Sequence, residues 1–390
     1  MSLSRRRFLQ GTGAGVAGTA LVGGLAAAGA QADTVAAPTV PQSYPFHGPH
    51  QAGVASPPQR FSTFAAFDAT AADRTALTAM FQALTDRARF LTAGGTPPDL
   101  GVGAPPSDSA VLGPEVPADG LTVTVSVGAS LFDSRYGLKK PSGLSAMPTF
   151  PDDALEPAWC HGDLMLQICA NNVDTVHHAL RDLARHTRDG MQPRYRLDGF
   201  ASPPRPAGTP RNLLGFKDGI SQPGEDVVWL PDGGAFQVVR FIRMLVEFWD
   251  RVSISEQERM FGRRRDSGAP LDGNHETDNP NFAADPIGSA IPLTSHIRRA
   301  NPRTTETAAN RLLRRPYNYD NGVDEVGNLD MGMLFVCYQQ DLVRQFEAVQ
   351  TRLIDEPLVD YISPVGGGYF FTLPGATDSK DWLGRGLLSA

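Results

Sequence analysis

The sequence predicts an α+β protein that contains two related halves. A unit of one strand, helix-capping residues and one amphipathic helix occurs three times along the chain, which favours interleaved strands and helices. Of the 390 residues, 41% are hydrophobic and 20% are charged, a globular composition that excludes a disordered, collagen-like or coiled-coil protein. A Pro-rich segment at 203–210, near the middle of the chain, marks the expected boundary between the halves.

The first copy of the repeated unit begins with an aromatic-rich run at 61–67, which predicts a short strand. Asp68 and Thr70 follow this run and carry side chains suited to capping a helix. Apolar residues then recur at i, i+3, i+4 and i+7, which is the spacing of one helix face. These residues are Leu77, Met80, Phe81 and Leu84.

Two further copies of the unit are predicted at 164–183 and 333–353. In each copy a strand run is followed by a capping acid or amide and then by apolar residues at helical spacing. Residues 121–127 alternate with a period of two, as a half-buried strand does. A longer strand is predicted at 238–248, and it leads into a capping-box pattern at 253–256.

The chain after residue 32 is predicted to have three parts. These are an extended arm at 33–58, an N-terminal half at 59–205 and a C-terminal half at 206–390. Within the C-terminal half, residues 263–290 show no periodicity and contain many Gly, Pro, Asp and Asn residues, so we expect a long loop. A loop of that length inside a compact domain is often functional.

The N-terminal segment 1–32 has the pattern of a twin-arginine signal peptide. Arg5 and Arg6 lie in a Ser-Arg-Arg-Arg-Phe-Leu run, an uncharged Gly- and Ala-rich stretch follows, and Ala-Gln-Ala at 30–32 resembles a cleavage site. So many Gly and Ala residues give too little hydrophobic free energy for a membrane anchor. We therefore expect a folded cofactor enzyme that is exported to the periplasm, cell envelope or medium, with no stable membrane insertion after cleavage.

Several other classes of protein are excluded by what the sequence lacks. Its three Cys residues include no CxxC pair, which argues against a disulfide framework and a Cys-based metal site. The net charge is −7 without a basic run beyond the N-terminus, so nucleic-acid binding is not expected. The sequence also has no HExxH, Gly-x-Ser-x-Gly or Walker motif, which removes the common hydrolase and nucleotide-binding classes.

Three polar clusters in the C-terminal half are the candidates for chemistry. The first, at 215–221, places Asp218 between glycines, although an ordinary Asp-Gly turn has the same pattern. The second, at 295–303, places His296 beside Arg and Asn residues, where it could bind haem iron or simply cap a helix. The third, at 311–319, is rich in Arg and Tyr and also fits a basic helix end.

Taken together and in this order, the three clusters closely resemble the dye-decolorizing peroxidases. The matching runs are Gly-Phe-Lys-Asp-Gly, Ser-His-Ile-Arg-x-Ala-Asn-Pro-Arg and Leu-Arg-Arg-x-Tyr-x-Tyr. Further runs at 242–250, 329–338 and 366–371 match as well, and the signal sequence is typical of the exported bacterial branch of this family. The resemblance extends over essentially the whole chain after the signal peptide.

The resemblance implies an α+β fold of two ferredoxin-like halves, of the dimeric α+β barrel type, with haem b bound in the C-terminal half. It makes His296 the proximal iron ligand and places Asp218 and one arginine on the distal face of the haem. The acidic partner of His296 would be Glu306 or Asp330. The expected lining of the haem consists of Gly219, Ile220, Ser221, Asn301, Pro302 and Arg303. We also expect a homo-oligomer, in the form of a dimer.

The distal arginine is one of an adjacent pair, Arg314 and Arg315. The family match places it 314 − 296 = 18 positions after the proximal histidine, which selects Arg314. Arg315 precedes Pro316, where the backbone is disfavoured in the helical region, so we expect Arg315 at a helix exit.

The activity implied by the resemblance is peroxidation of dyes, phenols or other bulky donors with hydrogen peroxide. Two alternatives remain at this point, a dedicated deferrochelatase that removes iron from haem and a non-enzymatic haem carrier. A carrier has no need of a distal acid and arginine, which argues against it. Aromatic residues could relay electrons from bulky donors, although packing in the interior explains each of them better. These are Tyr317, Tyr319, Tyr338 and Trp249.

Overall fold

A computed structural model describes residues 42–389 of the chain. The predicted signal peptide and the first part of the predicted arm lie outside the described residues. Residues 42–58 contain no helix or strand, and Gln51 and Val54 within this segment are buried. Among the described residues, no helix has the length and apolar character that crossing a membrane requires.

The N-terminal half contains four strands and two helices in the order β-α-β-β-α-β. The described elements are β1 (Phe61–Ala69), α1 (Arg74–Ala93), β2 (Thr122–Gly128), β3 (Leu164–Ala170), α2 (Val173–His186) and β4 (Met191–Phe200). The strands are antiparallel in the order β2-β3-β1-β4, with register pairs such as Phe64↔Gln167 and Phe64↔Leu197. This order is that of a ferredoxin-like sheet.

The C-terminal half repeats this topology with shorter and more numerous helices. Its elements are β5 (Ala235–Met244), α3 (Val246–Trp249), α4 (Ile254–Phe261), α5 (His296–Ala300), β6 (Leu313–Arg314), β7 (Tyr317–Val323), β8 (Leu329–Gln339), a π-helical segment (Leu342–Glu347) continued by α6 (Ala348–Leu353), β9 (Ile362–Thr372) and α7 (Arg385–Leu388). Short 3-10 turns lie at Ala129–Phe132, Pro157–Trp159, Glu225–Val227, Ala308–Asn310 and Pro357–Asp360.

The strands of the two halves join into one closed sheet. Strand β5 pairs with both β8 and β9, and β9 pairs with β2 of the N-terminal half from Ser126↔Thr372 to Gly128↔Phe370. The second junction connects β4 and β7 through the register pair Phe200↔Asn318. The predicted fold class, two ferredoxin-like α+β halves, is therefore confirmed.

Three apolar clusters fill this architecture. One takes side chains from strands of both halves, including Phe64, Tyr195, Leu334 and Phe370, and therefore lies inside the closed sheet. A second lies beneath α1 and α2. The third surrounds Trp249 and packs α3 and α4 against β8 in the C-terminal half. This third cluster packs beneath the segments that carry the candidate site.

Most predicted elements are present, and the differences have local causes. The predicted strand at 238–248 ends at Met244 and is followed by the short helix α3, because a continuous apolar run does not distinguish a strand from a buried helix. The cap of α1 is Asp73, whose carboxylate accepts a hydrogen bond from the Ala76 amide at 2.8 Å. Asp68, predicted as a cap, lies within β1. The capping residue predicted for α4 is confirmed, since Ser253 accepts from the Glu256 amide at 3.3 Å.

Candidate active site

Asp218 and Arg314 form an ion pair at the first and third polar clusters. Arg314 Nη1 donates to Asp218 Oδ1 at 2.7 Å, and its Nη2 donates to the Ser221 carbonyl at 3.3 Å. Both side chains are partly exposed, at 25% for Arg314 and 17% for Asp218, so the pair faces an open space. Gly219 follows Asp218 with φ +108°, a left-handed conformation that favours glycine and turns the loop around the arginine.

Gln222 fixes the backbone of Arg314 from the other side. Its side-chain amide donates to the Arg314 carbonyl at 2.8 Å and accepts from the Arg314 amide at 3.0 Å. The loop that carries Asp218 thus holds β6 by both the backbone and the side chain of Arg314. The sequence analysis did not identify Gln222, because its partner lies 92 positions away.

Arg315 points away from this site into the interior of the closed sheet. It is 3% exposed and donates to the carbonyls of Ser56 and Pro57 and to the side-chain oxygen of Gln59. The predicted helix exit is wrong, because residues 313–314 form a strand and the Arg315 amide continues its pairing by donating to Val336. Successive residues of extended chain project to opposite sides, and this alternation separates the two arginines.

His296 is the first residue of α5 and is fixed by a buried carboxylate. Its Nδ1 lies 3.0 Å from each carboxylate oxygen of Glu356, a residue that is 2% exposed. The two acidic partners considered from the sequence are wrong. Glu306 is exposed, and Asp330 lies 3.7 Å from the guanidinium of Arg243 instead. Glu356 is 60 residues from His296, and no local sequence signal connects them.

The hydrogen bond to Glu356 determines which nitrogen of His296 can bind a ligand. With its Nδ1–H directed to the carboxylate, the ring presents the Nε2 lone pair, and the side chain remains 32% exposed. Burial acts to lower the pKa of His296, but the charge and hydrogen bond of Glu356 prevail and raise it. The charges of Arg314 and Asp218 also act on this pKa. Phe261 stacks on Phe216 of the Asp218 loop at 4.0 Å between ring centroids and lies 6.1 Å from the His296 ring, which places the imidazole beside that loop.

Helix α5 has only five residues and is held by Arg352 of α6 and by its own Arg299. Arg352 on α6 donates to the carbonyls of Arg299 and Ala300, both at 3.0 Å. Arg299 in turn donates to the Ile354 carbonyl at 2.7 Å, two residues before Glu356. These bonds satisfy carbonyls at the end of the helix and connect His296 to the segment that carries its carboxylate.

The predicted lining residues lie in the two loops beside this space. Gly219, Ile220 and Ser221 follow Asp218 directly, and the Ser221 carbonyl contacts Arg314. Asn301 ends α5, and its side chain accepts from the Arg303 amide at 3.2 Å. Pro302 lies between them and is partly buried. Arg303 has φ +60° and donates to Asn279 at 3.0 Å, which directs it toward the long loop.

The long loop at 263–290 has no helix or strand and packs over the Asp218 loop. Lys217, next to Asp218, pairs with Glu276, which also accepts from the Thr209 amide at 2.8 Å. Partial burial opposes ionisation, but the bonds from Lys217 and Thr209 prevail and lower the pKa of Glu276. The loop therefore covers one side of the site, consistent with the functional role expected from its length.

The site has the imidazole ligand and the cationic side chains that an anionic haem requires. His296 has one imidazole nitrogen that can bind iron, and the ion pair of Asp218 and Arg314 lies on the neighbouring loop and strand. Arg263 is buried nearby, where burial and the positive charges of Arg303 and Arg314 lower its pKa. This concentration of arginines suits carboxylates such as the haem propionates. The residues present therefore fit the predicted cofactor.

The aromatic residues considered as electron relays are all buried. Tyr317 and Tyr319 are 2% exposed, Trp249 is 1% exposed and Tyr338 is fully buried. Trp249 donates to the Leu214 carbonyl at 2.9 Å beneath the Asp218 loop, and Tyr338 donates to Gln167 at 2.6 Å inside the closed sheet. These contacts give each residue a packing role.

Comparison with known proteins identifies the class to which this fold and site belong. The model of the Dyp-type peroxidase N-terminal domain matches residues 51–201, and that of the C-terminal domain matches 209–377. Deferrochelatase from Yersinia pestis is 49% identical over all of this chain and 96% of its own length. Deferrochelatase from Shigella flexneri is 47% identical over 99% of this chain and 97% of its own length.

Solved structures of DyP-type peroxidases also resemble this chain. A DyP-type peroxidase from Cellulomonas bogoriensis superimposes with a TM-score of 0.80 and 34% identity, over 89% of this chain and 98% of that one. Ferric DtpA from Streptomyces lividans has a TM-score of 0.81 and 32% identity, over 90% and 98%. The chain belongs to the Dyp-type peroxidase family. It is a haem-dependent oxidoreductase, and the predicted haem b cofactor is consistent with this family.

Proposed function

We propose that this enzyme activates hydrogen peroxide between Asp218 and Arg314 on one side and His296 on the other. The observation that carries the proposal is the 2.7 Å ion pair of Asp218 and Arg314, whose loop lies beside a histidine fixed by Glu356. Catalysis by an acid–base group beside a fixed cation needs this arrangement. An Asp-Gly turn that only reverses the direction of the chain does not require an arginine from a distant strand.

The cofactor would be held by His296 through Nε2, with the loops at 219–221 and 301–303 against its edges. Arg303, an exposed cation at the end of the second of these loops, would bind a carboxylate group of the cofactor. When bound, haem supplies the redox-active iron that accepts and returns electrons. Glu356 keeps the histidine ring in one tautomer and orientation and increases its basicity as a ligand.

Side chains of the protein would transfer the proton and stabilise the negative charge that develops during the reaction. Asp218 would take a proton from hydrogen peroxide and return it to the departing oxygen, which leaves as water. Its Oδ1 is bound by Arg314, so Oδ2 is the atom available for this transfer. Arg314 would stabilise the negative charge that develops on the departing oxygen, and its guanidinium is permanently cationic.

A second candidate activity is release of iron from haem with the porphyrin intact. It is favoured by the curated relatives named deferrochelatase at 47–49% identity over nearly the full chain. The same site would serve both reactions, with haem as cofactor in one and as substrate in the other. Incubation with haem, hydrogen peroxide and a phenolic donor, followed by product analysis, separates them. Free protoporphyrin supports iron release, whereas an oxidised donor with unchanged haem supports peroxidation.

The role of His296 is tested by replacing it with alanine. His296→Ala should give folded protein with strongly weakened haem binding, because the imidazole would be the side chain that binds the iron. His275→Ala, in the exposed part of the long loop, is the matched control and should bind haem normally. An unchanged Soret band and haem stoichiometry in His296→Ala would exclude His296 as the ligand.

Export and assembly are also proposed from the sequence. Replacing Arg5 and Arg6 together by Lys preserves charge but removes the guanidinium groups that a twin-arginine receptor reads, so the precursor should stay in the cytoplasm. Normal export of the double variant would indicate another type of signal. Sedimentation of the exported protein would test the proposed homodimer.

A further inference from the structure

A buried cluster of one histidine and two aspartates lies in the N-terminal half and shares no residue with the proposed reaction centre. His178 and Asp182 are on α2, and Asp108 is in the segment between α1 and β2. All three residues are buried, at 2%, 5% and 8% exposure. One ligand atom of each lies within 4.8 Å of the others. The proposed haem reaction uses none of them.

The contact between His178 and Asp108 is unusual because it is close without being a hydrogen bond. His178 Nε2 lies 3.2 Å from Asp108 Oδ2, yet both atoms are buried and neither has a hydrogen-bond partner in residues 42–389. The other ring nitrogen, Nδ1, is 2.8 Å from Ser109 Oγ. Burial of two polar atoms that face each other without a hydrogen bond costs free energy, unless a third group interacts with both of them.

A metal cation provides such a group with suitable geometry. Zinc and similar ions bind imidazole nitrogen and carboxylate oxygen at about 2.0–2.2 Å, so neighbouring ligand atoms around one ion lie roughly 3.0–3.5 Å apart. The observed 3.2 Å between Nε2 and Oδ2 falls in this range. The contact of Nδ1 with Ser109 resembles the outer hydrogen bond that usually orients a ligating histidine.

Asp182 is positioned as the third ligand. It lies one helical turn after His178, at the i,i+4 spacing that brings two side chains to one face of α2. Arg87 on α1 donates to both of its carboxylate oxygens, at 2.7 and 2.8 Å, and fixes its orientation. The imidazole of His186 also contacts this carboxylate, with Nδ1 at 3.4 Å from Oδ1. The permanent cation of the cluster is the single guanidinium of Arg87, so two carboxylates leave an excess negative charge that a bound metal ion would offset.

We propose that Asp108, His178 and Asp182 bind a divalent transition-metal cation. One imidazole nitrogen with two carboxylate oxygens suits ions such as Zn²⁺, Fe²⁺ or Mn²⁺. The ion would fasten the segment between α1 and β2 to helix α2. This segment contains exposed residues such as Leu100 and Val102 and has little regular structure of its own, so the ion would order it.

Calorimetric titration of the haem-loaded, untagged protein with Zn²⁺ tests this proposal, because Zn²⁺ has no redox chemistry with the haem. The matched pair of variants is His178→Ala and His177→Ala, since His177 is adjacent but 48% exposed. Wild type and His177→Ala should bind one equivalent of Zn²⁺ with equal affinity. His178→Ala should bind it at least tenfold more weakly.

A second variant and a second measurement distinguish loss of the metal site from loss of the fold. Asp108→Asn keeps the size of the side chain but removes its charge, and it should also weaken Zn²⁺ binding at least tenfold while the Soret band of bound haem stays unchanged. Zn²⁺ should slow proteolysis between α1 and β2 in wild type and His177→Ala only. Absence of stoichiometric binding by wild type, or equal binding by His177→Ala and Asp108→Asn, would overturn the proposal.

Discussion

Arg314 and Arg315 are adjacent and chemically identical, but their surroundings give them different roles. Arg314 is partly exposed and paired with Asp218. Arg315 is buried and donates to main-chain and side-chain oxygens of the segment at 56–59. One residue is therefore placed to act on a ligand and the other to hold the N-terminal arm against the closed sheet.

Leucine substitutions should separate these two roles. In the proposed mechanism Arg314→Leu removes the cation that stabilises the departing oxygen, so the reaction with hydrogen peroxide should slow by roughly 10²-fold or more while haem stays bound. Arg315→Leu leaves buried oxygens without their donor and should lower the free energy of unfolding by about 1–3 kcal/mol, with a small effect on the peroxide reaction. Rapid mixing and denaturant unfolding measure the two effects. A slower peroxide reaction in Arg315→Leu than in Arg314→Leu would reverse the assignment.

Glu356 should influence the haem through His296. Glu356→Gln replaces a carboxylate acceptor by a neutral amide, so the imidazole becomes a poorer electron donor and the reduction potential of the haem should rise. Haem affinity or activity should fall about 10- to 100-fold, the usual effect of losing such a partner. Glu306→Gln, which changes an exposed acid after α5, is the control and should leave the potential unchanged. Equal potentials in the two variants would contradict the role of Glu356.

At the scale of elements, the sequence predicts what local periodicity determines. Helices α1 and α2 and strands β1, β2, β3 and β8 follow from apolar spacing within a single segment. Strand β4 was not predicted, because it contains Pro193 and exposes several polar residues. The hydrogen-bond partners of Asp218 and His296 cannot be predicted from local periodicity. Arg314 was identified through a family motif, whereas Glu356 and Gln222 depend on packing between distant segments.

The long loop at 263–290 is attached to the site by a titratable contact. The pKa of Glu276 is lower in the folded protein than in the unfolded chain, so ionised Glu276 stabilises the fold above its unfolded pKa, about 4.3. This contribution is lost as pH falls through the folded pKa. Glu276→Gln should therefore be less stable than wild type at neutral pH, by roughly 1 kcal/mol, and the difference should shrink below pH ~4.

Urea unfolding of wild type and Glu276→Gln at several pH values measures this difference. Glu325→Gln, in the exposed turn between β7 and β8, is the control and should not change the stability at neutral pH. A difference between wild type and Glu276→Gln that stays constant down to pH 3 would show that the Lys217–Glu276 pair does not contribute through ionisation.

At the scale of the whole molecule, the two halves are connected by sheet junctions of unequal extent. The β2–β9 junction has three register pairs, whereas the β4–β7 junction has the pair Phe200↔Asn318. Asn318 reinforces this second junction, because its side-chain amide donates to Ser202 Oγ at 2.9 Å and to the Arg211 carbonyl at 3.1 Å. The residue thus joins the segment between the halves to β7, close to the Asp218 loop.

Removal of the Asn318 side chain should loosen the junction of the halves. Asn318→Ala should lower the free energy of unfolding by about 1 kcal/mol, because the partly buried Arg211 carbonyl loses its donor. Amide hydrogen exchange should accelerate in β4 and β7 more than in β2 and β9. Asn321→Ala, exposed at the end of β7, is the control and should change neither quantity. Uniform acceleration over all strands would indicate global destabilisation instead.

The β2–β9 junction also has a consequence for synthesis on the ribosome. Ser126 in β2 pairs with Thr372 in β9, so the edge of β2 lacks its partner until 372 − 126 = 246 further residues have been made. At about 5–20 residues per second, this takes roughly 12–50 s. An N-terminal half that folds as it emerges would expose an unpaired, apolar strand edge during that interval, the kind of surface on which nascent chains associate and chaperones bind.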